Sequence, residues 1–324
     1  MSDFYLNNIK YNKEAPDPLS YEYEWVAPGS GKILMTVALP LRKMGDITWM
    51  ALESLRRQET SVNWELIMFE DGGESREVLD TFVGKLPGCK RILYKSIDPK
   101  KDGRVSGRHK GAVLLIDKWI GMALAASNES VGYILHAGDD YAPKRMIDNH
   151  FKNLQNKNCI YSTYPRGVFY HYALKKRIFY NGYAFKSHGK DFLTNIHLHN
   201  AVRTEDVRKI RPSYSDKERN ALIDKYIRVN IYRNRGIDPT ENKYIYNVDD
   251  IDSTDWMTGF NTDGLNTISY RRKIYNNPEA RSAVWSSYND ASKKTIGYCG
   301  EFDKNIPKNV YRFISSISKS RKNR

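Results

Sequence analysis

Val131-Gly132-Tyr133-Ile134-Leu135-His136-Ala137-Gly138-Asp139-Asp140-Tyr141-Ala142-Pro143 is an apolar run that breaks into two adjacent carboxylates and then a proline. The five residues before His136 show no polar alternation, the pattern of a strand buried on both faces. The carboxylates stand where that strand ends, and the proline predicts a helix starting near Pro143. Two neighbouring carboxylates repel one another unless a cation lies between or beside them, and oxygen ligands suit Mg²⁺ or Mn²⁺ bridging two phosphates. The same pair also suits the N-terminus of the following helix.

Upstream, Lys32-Ile33-Leu34-Met35-Thr36-Val37-Ala38-Leu39-Pro40 is another apolar run closed by proline, and Trp64-Glu65-Leu66-Ile67-Met68-Phe69 is a second, ending in the turn Glu70-Asp71-Gly72-Gly73. Between them Ile47, Met50, Ala51 and Leu55 follow helical spacing over 46–58, with Asp46 as N-cap. A further helical stretch, the strand Arg91-Ile92-Leu93-Tyr94 and a helical pattern over 112–126 complete an alternation of strands and helices. Such alternation predicts right-handed crossovers and an α/β fold with a mainly parallel sheet covered on both faces. Ligands of such sheets bind beyond the carboxyl ends of the strands, where both acidic turns fall.

Residues 1–31 read as a polar leader wrapped on the surface. After residue 150 the pattern predicts aromatic short strands at 159–164, 167–174 and 176–185, helices at 202–210 and 220–231, and a loop over 234–255. The expected division is a ligand-binding unit at 32–150, an acceptor-side unit at 151–233 and a basic extension at 234–324.

The 324 residues are 40% hydrophobic, enough for one large core or two modest ones. Cys89, Cys159 and Cys299 lack metal-site or disulfide-framework spacing, which points to a reducing, cytoplasmic setting. The start lacks a signal-peptide pattern, and no window approaches about eighteen uninterrupted apolar residues. Net charge is +14, unevenly placed: residues 1–150 carry 20 Lys and Arg against 21 Asp and Glu, whereas 151–324 carry 32 against 17. That field favours a polyanionic acceptor, an anionic membrane surface or nucleic acid, or else serves solubility. In the tail, 309–324, Val310, Phe313, Ile314 and Ile317 at helical spacing accompany Lys319, Arg321, Lys322 and Arg324, a pattern that suits peripheral membrane contact or packing on the core.

Asp71, ending a strand at a glycine turn, suits a hydrogen bond from a base N–H or a ribose hydroxyl, and equally an ordinary Asp-Gly turn. The loop Gly103-Arg104-Val105-Ser106-Gly107-Arg108-His109-Lys110-Gly111 sets flexible glycines among Arg104, Arg108 and Lys110 just before a helix, an arrangement for holding a diphosphate. A Walker element and a GxGxxG turn are both missing, which argues against an NTPase or a dehydrogenase. Ile196-His197-Leu198-His199 places two histidines on one side of a strand, for metal ligation through His197, for a pocket wall or for pairing with an acid. The segment 255–266, with Trp256 and Phe260 among amides, suits an acceptor.

The ordered set of a strand closing on Pro40, a helix ending Leu55-Arg56-Arg57-Gln58, the strand into Glu70-Asp71-Gly72-Gly73, the basic Arg108-His109-Lys110-Gly111 loop and the strand into Gly138-Asp139-Asp140-Tyr141 resembles family-two glycosyltransferases of the GT-A fold. The resemblance covers roughly 32–150 well and the remainder loosely. It implies a nucleotide-diphosphate sugar as donor and Mn²⁺ or Mg²⁺ as cofactor, with Pro40 and Asp71 flanking the nucleotide, Arg108 approaching the diphosphate, and Asp139 and Asp140 in the metal-binding region. The chain departs from the pattern where many members read Asp-x-Asp-Asp, because Ala137-Gly138-Asp139-Asp140 lacks the first aspartate.

An inverting member needs a carboxylate base that deprotonates the acceptor hydroxyl. Asp224, after the 211–222 loop, is the preferred candidate. Asp206, in a stretch that reads as an amphipathic packing helix with this carboxylate on its surface, is the second. The acceptor classes left open are a glycan or lipid-linked saccharide and DNA carrying hydroxymethylated bases. A non-catalytic nucleic-acid-binding protein on a transferase-like core is the alternative of another class.

Overall fold

The computed structural model describes residues 5–6, 9–10, 22–29, 31–42, 48–73, 75–97, 115–138, 140–164, 166–171, 176–181, 198–210, 223–238, 243–248 and 258–260. Two short strands, β1 (Tyr5–Leu6) and β2 (Ile9–Lys10), pair with one another, and β3 (Tyr23–Val26) follows. The first apolar runs become β4 (Met35–Arg42), α1 (Thr48–Arg56), β5 (Trp64–Asp71), α2 (Arg76–Asp80) and β6 (Cys89–Ile97). Next come α3 (Leu115–Ala125), β7 (Gly132–Leu135), β8 (Asp140–Tyr141) and α4 (Met146–Gln155). The second half supplies β9 (Tyr161–Tyr164), β10 (Arg166–His171), β11 (Lys176–Asn181), β12 (Leu198–Arg203), α5 (Thr204–Arg208), α6 (Ile223–Asn234), β13 (Ile245–Asn247) and β14 (Thr258–Phe260).

The main sheet runs β13-β9-β12-β7-β4-β5-β6-β3. Strands β7, β4, β5 and β6 are mutually parallel, β12 is antiparallel to both β7 and β9, and β3 closes the β6 edge antiparallel. Covering that edge removes a row of unpaired backbone groups, so part of the polar leader is a sheet strand. The expected fold class, a Rossmann-like mainly parallel α/β sheet flanked by helices, is the one the structure has. Strands from all three expected units after residue 31 join this one sheet.

Every residue of β5 is buried, and alternate strand residues enter two separate cores, as a period of two requires. Val37, Leu39, Leu41, Leu66 and Met68 pack on one face with Ala51 and Leu55 of α1 and with Met146 and Ile147 of α4. Ala38, Ile67, Phe69 and Leu93 pack on the other with Trp119 and Ile120 of α3, Val207 of α5, and Ile227 and Ile231 of α6. Each fully buried side chain of this size contributes about 1.5–3 kcal/mol.

Another departure from the expected elements is at 202–210, where the chain forms β12 up to Arg203 and only then α5. Val202 fits a helical spacing with Val207 and Ile210. Pairing of β12 with β7 on one side and β9 on the other outweighs that local pattern, and Ala201 and Val202 are buried between them. The stretch 234–255 also contains β13, which pairs parallel with β9. Asp46 and the tail 309–324 lie outside the described residues.

The turn into β6 depends on glycine. Gly88 enters β6 at φ +72°, and a Cβ there would stand 2.9 Å from the Val62 carbonyl oxygen. Gly88→Ala is therefore expected to cost about 1–3 kcal/mol, read as a lower denaturant midpoint at an unchanged slope.

Candidate functional site

The chain runs from β4 outward through β5 to β6, then returns to the other side of β4 as β7. The carboxyl ends of β4 and β7 thus form a topological switch point, where crossover connections diverge and leave a crevice. Pro40 lies near the end of β4 in register with Phe69, and β5 ends beside it in Glu70 and Asp71.

Glu70 is fully buried and holds the turn after β5 together. It accepts hydrogen bonds from the Ser75 backbone N–H (2.8 Å), the Ser75 hydroxyl (2.7 Å) and the Tyr94 hydroxyl (2.8 Å). Ser75 Oγ also meets Thr48 Oγ1 at 2.8 Å, which ties the start of α1 to the same turn. Burial, with Glu70 alongside, raises the Tyr94 phenol well above its ordinary value, so it remains a donor. Gly72 and Gly73 follow at φ +103° and +67°, turning the backbone sharply at the strand end.

Asp71 is only 1% exposed and ion-pairs with Lys118 Nζ at 2.7 Å. Lys118 stands in the first turn of α3 and also donates to the Leu41 carbonyl at 2.6 Å. This lysine thereby pins the ends of β4 and β5 to the helix that follows the basic loop. Sequence reasoning passed it over; the available signal was a lone basic residue inside an apolar helical pattern. Lys118→Met removes the cation that α3 brings to this buried carboxylate and is expected to cost about 3–5 kcal/mol of stability. In the double variant Lys118→Met with Asp71→Asn, part of that loss should return, and chemical denaturation of the two variants measures the coupling.

After β7, His136 is fully buried, its backbone N–H bonded to the Ala38 carbonyl at 3.0 Å. Burial pushes its imidazole down to about 3, so it stays neutral. Asp140 opens β8, partly exposed, with its N–H donating to Ala137 O at 3.2 Å. Its backbone is in antiparallel register with Gly259 of β14, in a second sheet ordered β11-β10-β14-β8. Residues 258–260 are thus brought beside the acidic turn by strand pairing. Gln58 fixes the other flank, since its amide donates to the Pro143 carbonyl at 2.7 Å and accepts from the Ile147 N–H at 3.3 Å.

Asp206 lies at the opposite edge. Arg203 pairs with Gly132 at the start of β7, so α5 emerges at the amino ends of the parallel strands. The surface position expected for Asp206 is not what the structure shows: it is 4% exposed and bidentate to Arg235, with Nε to Oδ1 at 2.9 Å and Nη2 to Oδ2 at 2.8 Å. Burial raises its pKa and the guanidinium opposes that rise. The physical reason is the turn from β12 into α5, which aims this carboxylate at the C-terminal end of α6.

Asp224 is the second residue of α6, whose last turn is anchored at that amino edge, Asn234 Nδ2 donating to Lys209 O at 3.3 Å. The helix has twelve residues and rises about 18 Å. Asp224 therefore stands at the end remote from that anchor. Leu198 opens β12 opposite Tyr164 at the carboxyl edge, and His197 immediately precedes it in the chain. His197, Arg104, Arg108, Lys110 and Asp139 lie outside the described residues; among the described residues there is no metal-ligating cluster of three or more side chains.

The fold defines a Rossmann-like α/β protein whose acidic strand ends flank the β4/β7 switch point. No protein-family model and no curated protein matches the chain. Among solved structures, the chain is similar to TarS of S. aureus, residues 1–349, at 10% identity and a TM-score of 0.45, covering 90% of this chain and 92% of that one. It is also similar to glucosyl-3-phosphoglycerate synthase from Mycobacterium tuberculosis, in a complex with Mn²⁺, UDP and glucosyl-3-phosphoglycerate, at 11% identity and a TM-score of 0.43, covering 79% and 86%. A third is 4-diphosphocytidyl-2C-methyl-D-erythritol synthase from Anaerococcus prevotii, at 10% identity and a TM-score of 0.39, covering 71% and 90%. Among the described residues no helix is long and apolar enough to cross a membrane.

Proposed function

We propose that the chain is a glycosyltransferase that moves a sugar from a nucleotide-diphosphate donor to an acceptor hydroxyl with inversion. The observation that carries this reading is the switch point itself: Asp71 at the end of β5 and Asp140 after β7 stand at neighbouring carboxyl ends on either side of β4. Pro40 and Asp71 serve the nucleotide end, with Asp71 positioned through Lys118. Arg104, Arg108 and Lys110 serve the diphosphate. Asp139 and Asp140 would hold Mn²⁺ or Mg²⁺, an assignment that fits a partly exposed carboxylate at a strand end beside ligand phosphates. A cation held there would offset the negative charge of the departing diphosphate.

Asp224 takes the proton from the acceptor hydroxyl as its oxygen bonds to the anomeric carbon and the bond to the diphosphate oxygen breaks. In this scheme Asp206 is an ion-paired anchor rather than a base, and His197 is a further candidate ligand near the start of β12. The donor unit is 32–150, the acceptor side is 151–233, and the basic half with its 32 cationic against 17 acidic residues favours an anionic acceptor: a membrane-associated saccharide, or DNA as the second reading.

The test is a thermal-shift screen of nucleotide sugars with and without Mn²⁺. A ligand at 100 times its dissociation constant adds about 2.7 kcal/mol to stability. A metal-dependent shift with one nucleotide sugar, followed by release of its nucleotide, supports the reading. A salt-dependent shift with DNA and none with any nucleotide sugar overturns it in favour of nucleic-acid binding.

A further inference from the structure

Arg228 lies in the middle of α6 and is 3% exposed, yet its Nε and Nη1 are buried with no hydrogen-bond partner. Other cations in the same layers are answered. Lys118 meets Asp71, and Arg208 donates to the Ala123 carbonyl at 2.8 Å and the Ala126 carbonyl at 2.6 Å. A guanidinium cannot shed its charge by deprotonation, so an unanswered one in the interior is a cost the fold carries unless an anion offsets it.

The surroundings say where that anion would lie. Helical side chains lean toward the N-terminus of their helix, so the Arg228 side chain leans toward the turn that carries position 224, four residues earlier and on the same face. Ile227 and Ile231, flanking Arg228, pack in one cluster with Trp119 of α3. The Trp119 indole N–H is a second buried donor without a hydrogen-bond partner. Helices α3 and α6 pack on one another, and α3 begins just after the basic loop.

We infer that Arg228 is a binding residue for a phosphate group of a substrate, in a site roofed by α3 and α6. Phosphate is the chemistry that suits a planar fork of donors on rigid helices, and it has two sources under the proposed function, the donor diphosphate and a phosphate on the acceptor. The inference takes those sources from that reading but rests on Arg228 itself.

The experiment uses the full chain with orthophosphate, UDP and chloride at matched ionic strength, read by thermal shift and calorimetry. Orthophosphate is expected to raise Tm above the chloride control. In Arg228→Met the phosphate affinity should fall at least about tenfold, while Tm without phosphate rises because an unanswered charge has left the interior. Arg228→Lys, which keeps a charge, should retain part of the response. An additional phosphate shift at saturating UDP places Arg228 on the acceptor side, whereas a shift abolished by UDP places it at the donor diphosphate. A phosphate response without any UDP binding keeps Arg228 as an anion site and sinks the nucleotide-sugar reading alone. An unchanged phosphate response in Arg228→Met, no response in the wild type, or a lower ligand-free Tm in both variants with phosphate affinity intact overturns the inference in favour of a packing role.

Discussion

Asp224→Asn lowers turnover by about 10²–10⁴ with donor affinity unchanged, if this carboxylate removes the acceptor proton. The interaction lost exists in the transition state, since the proton moves only as the new bond forms. Asparagine keeps the volume and a hydrogen-bonding tip, and position 224 in the first turn of α6 accepts either residue without backbone strain. Steady-state kinetics with the nucleotide sugar, paired with calorimetric donor binding, separates the two quantities. The parallel variant is Asp206→Asn, and the structure alters what it should do. A surface carboxylate would cost within about 0.5 kcal/mol. Paired with Arg235, Asp206 is expected to cost about 1–3 kcal/mol of stability while the folded protein keeps its turnover. A dead Asp206→Asn beside a normal Asp224→Asn would put the base one element earlier, and normal turnover in both would remove the inverting mechanism.

Asp140→Asn abolishes transfer and leaves the fold intact, with Asp139→Asn having the smaller effect. Asp140 is partly exposed, its backbone N–H donates to Ala137 O, and its position on β8 is set by the register with β14. Under the proposed function, losing the side-chain charge removes attraction for the cation and its phosphates. The measurement is nucleotide release across a Mn²⁺ titration together with the denaturation midpoint of each variant. A wild-type rate in both single variants would sink the cation assignment, and a shifted midpoint would make Asp140 structural.

Much of the first half was legible because its signals are local. Short apolar runs near Pro40, before Gly72 and Gly73, and before His136 point to buried strands, and β4, β5 and β7 stand where those runs lie, although β4 runs on through Pro40 to Arg42. The second half was less legible. Residues 202–210 carry a helical spacing that the pairing of β12 between β7 and β9 overrides, and Ile245–Asn247 looks like loop until β9 is there to pair with it.

By itself the sequence determined the alternating α/β architecture, the acidic strand ends Glu70-Asp71 and Asp139-Asp140, and the charge imbalance between the halves, because periodicity, turn chemistry and charge are written residue by residue. Only the tertiary structure decided which carboxylates share an edge. The antiparallel direction of β12 carries Asp206 to the amino edge and into the grip of Arg235, α3 delivers Lys118 to Asp71, and α6 encloses Arg228. Each of these depends on partners dozens of residues away, and so on the path of the backbone rather than on any neighbouring residue.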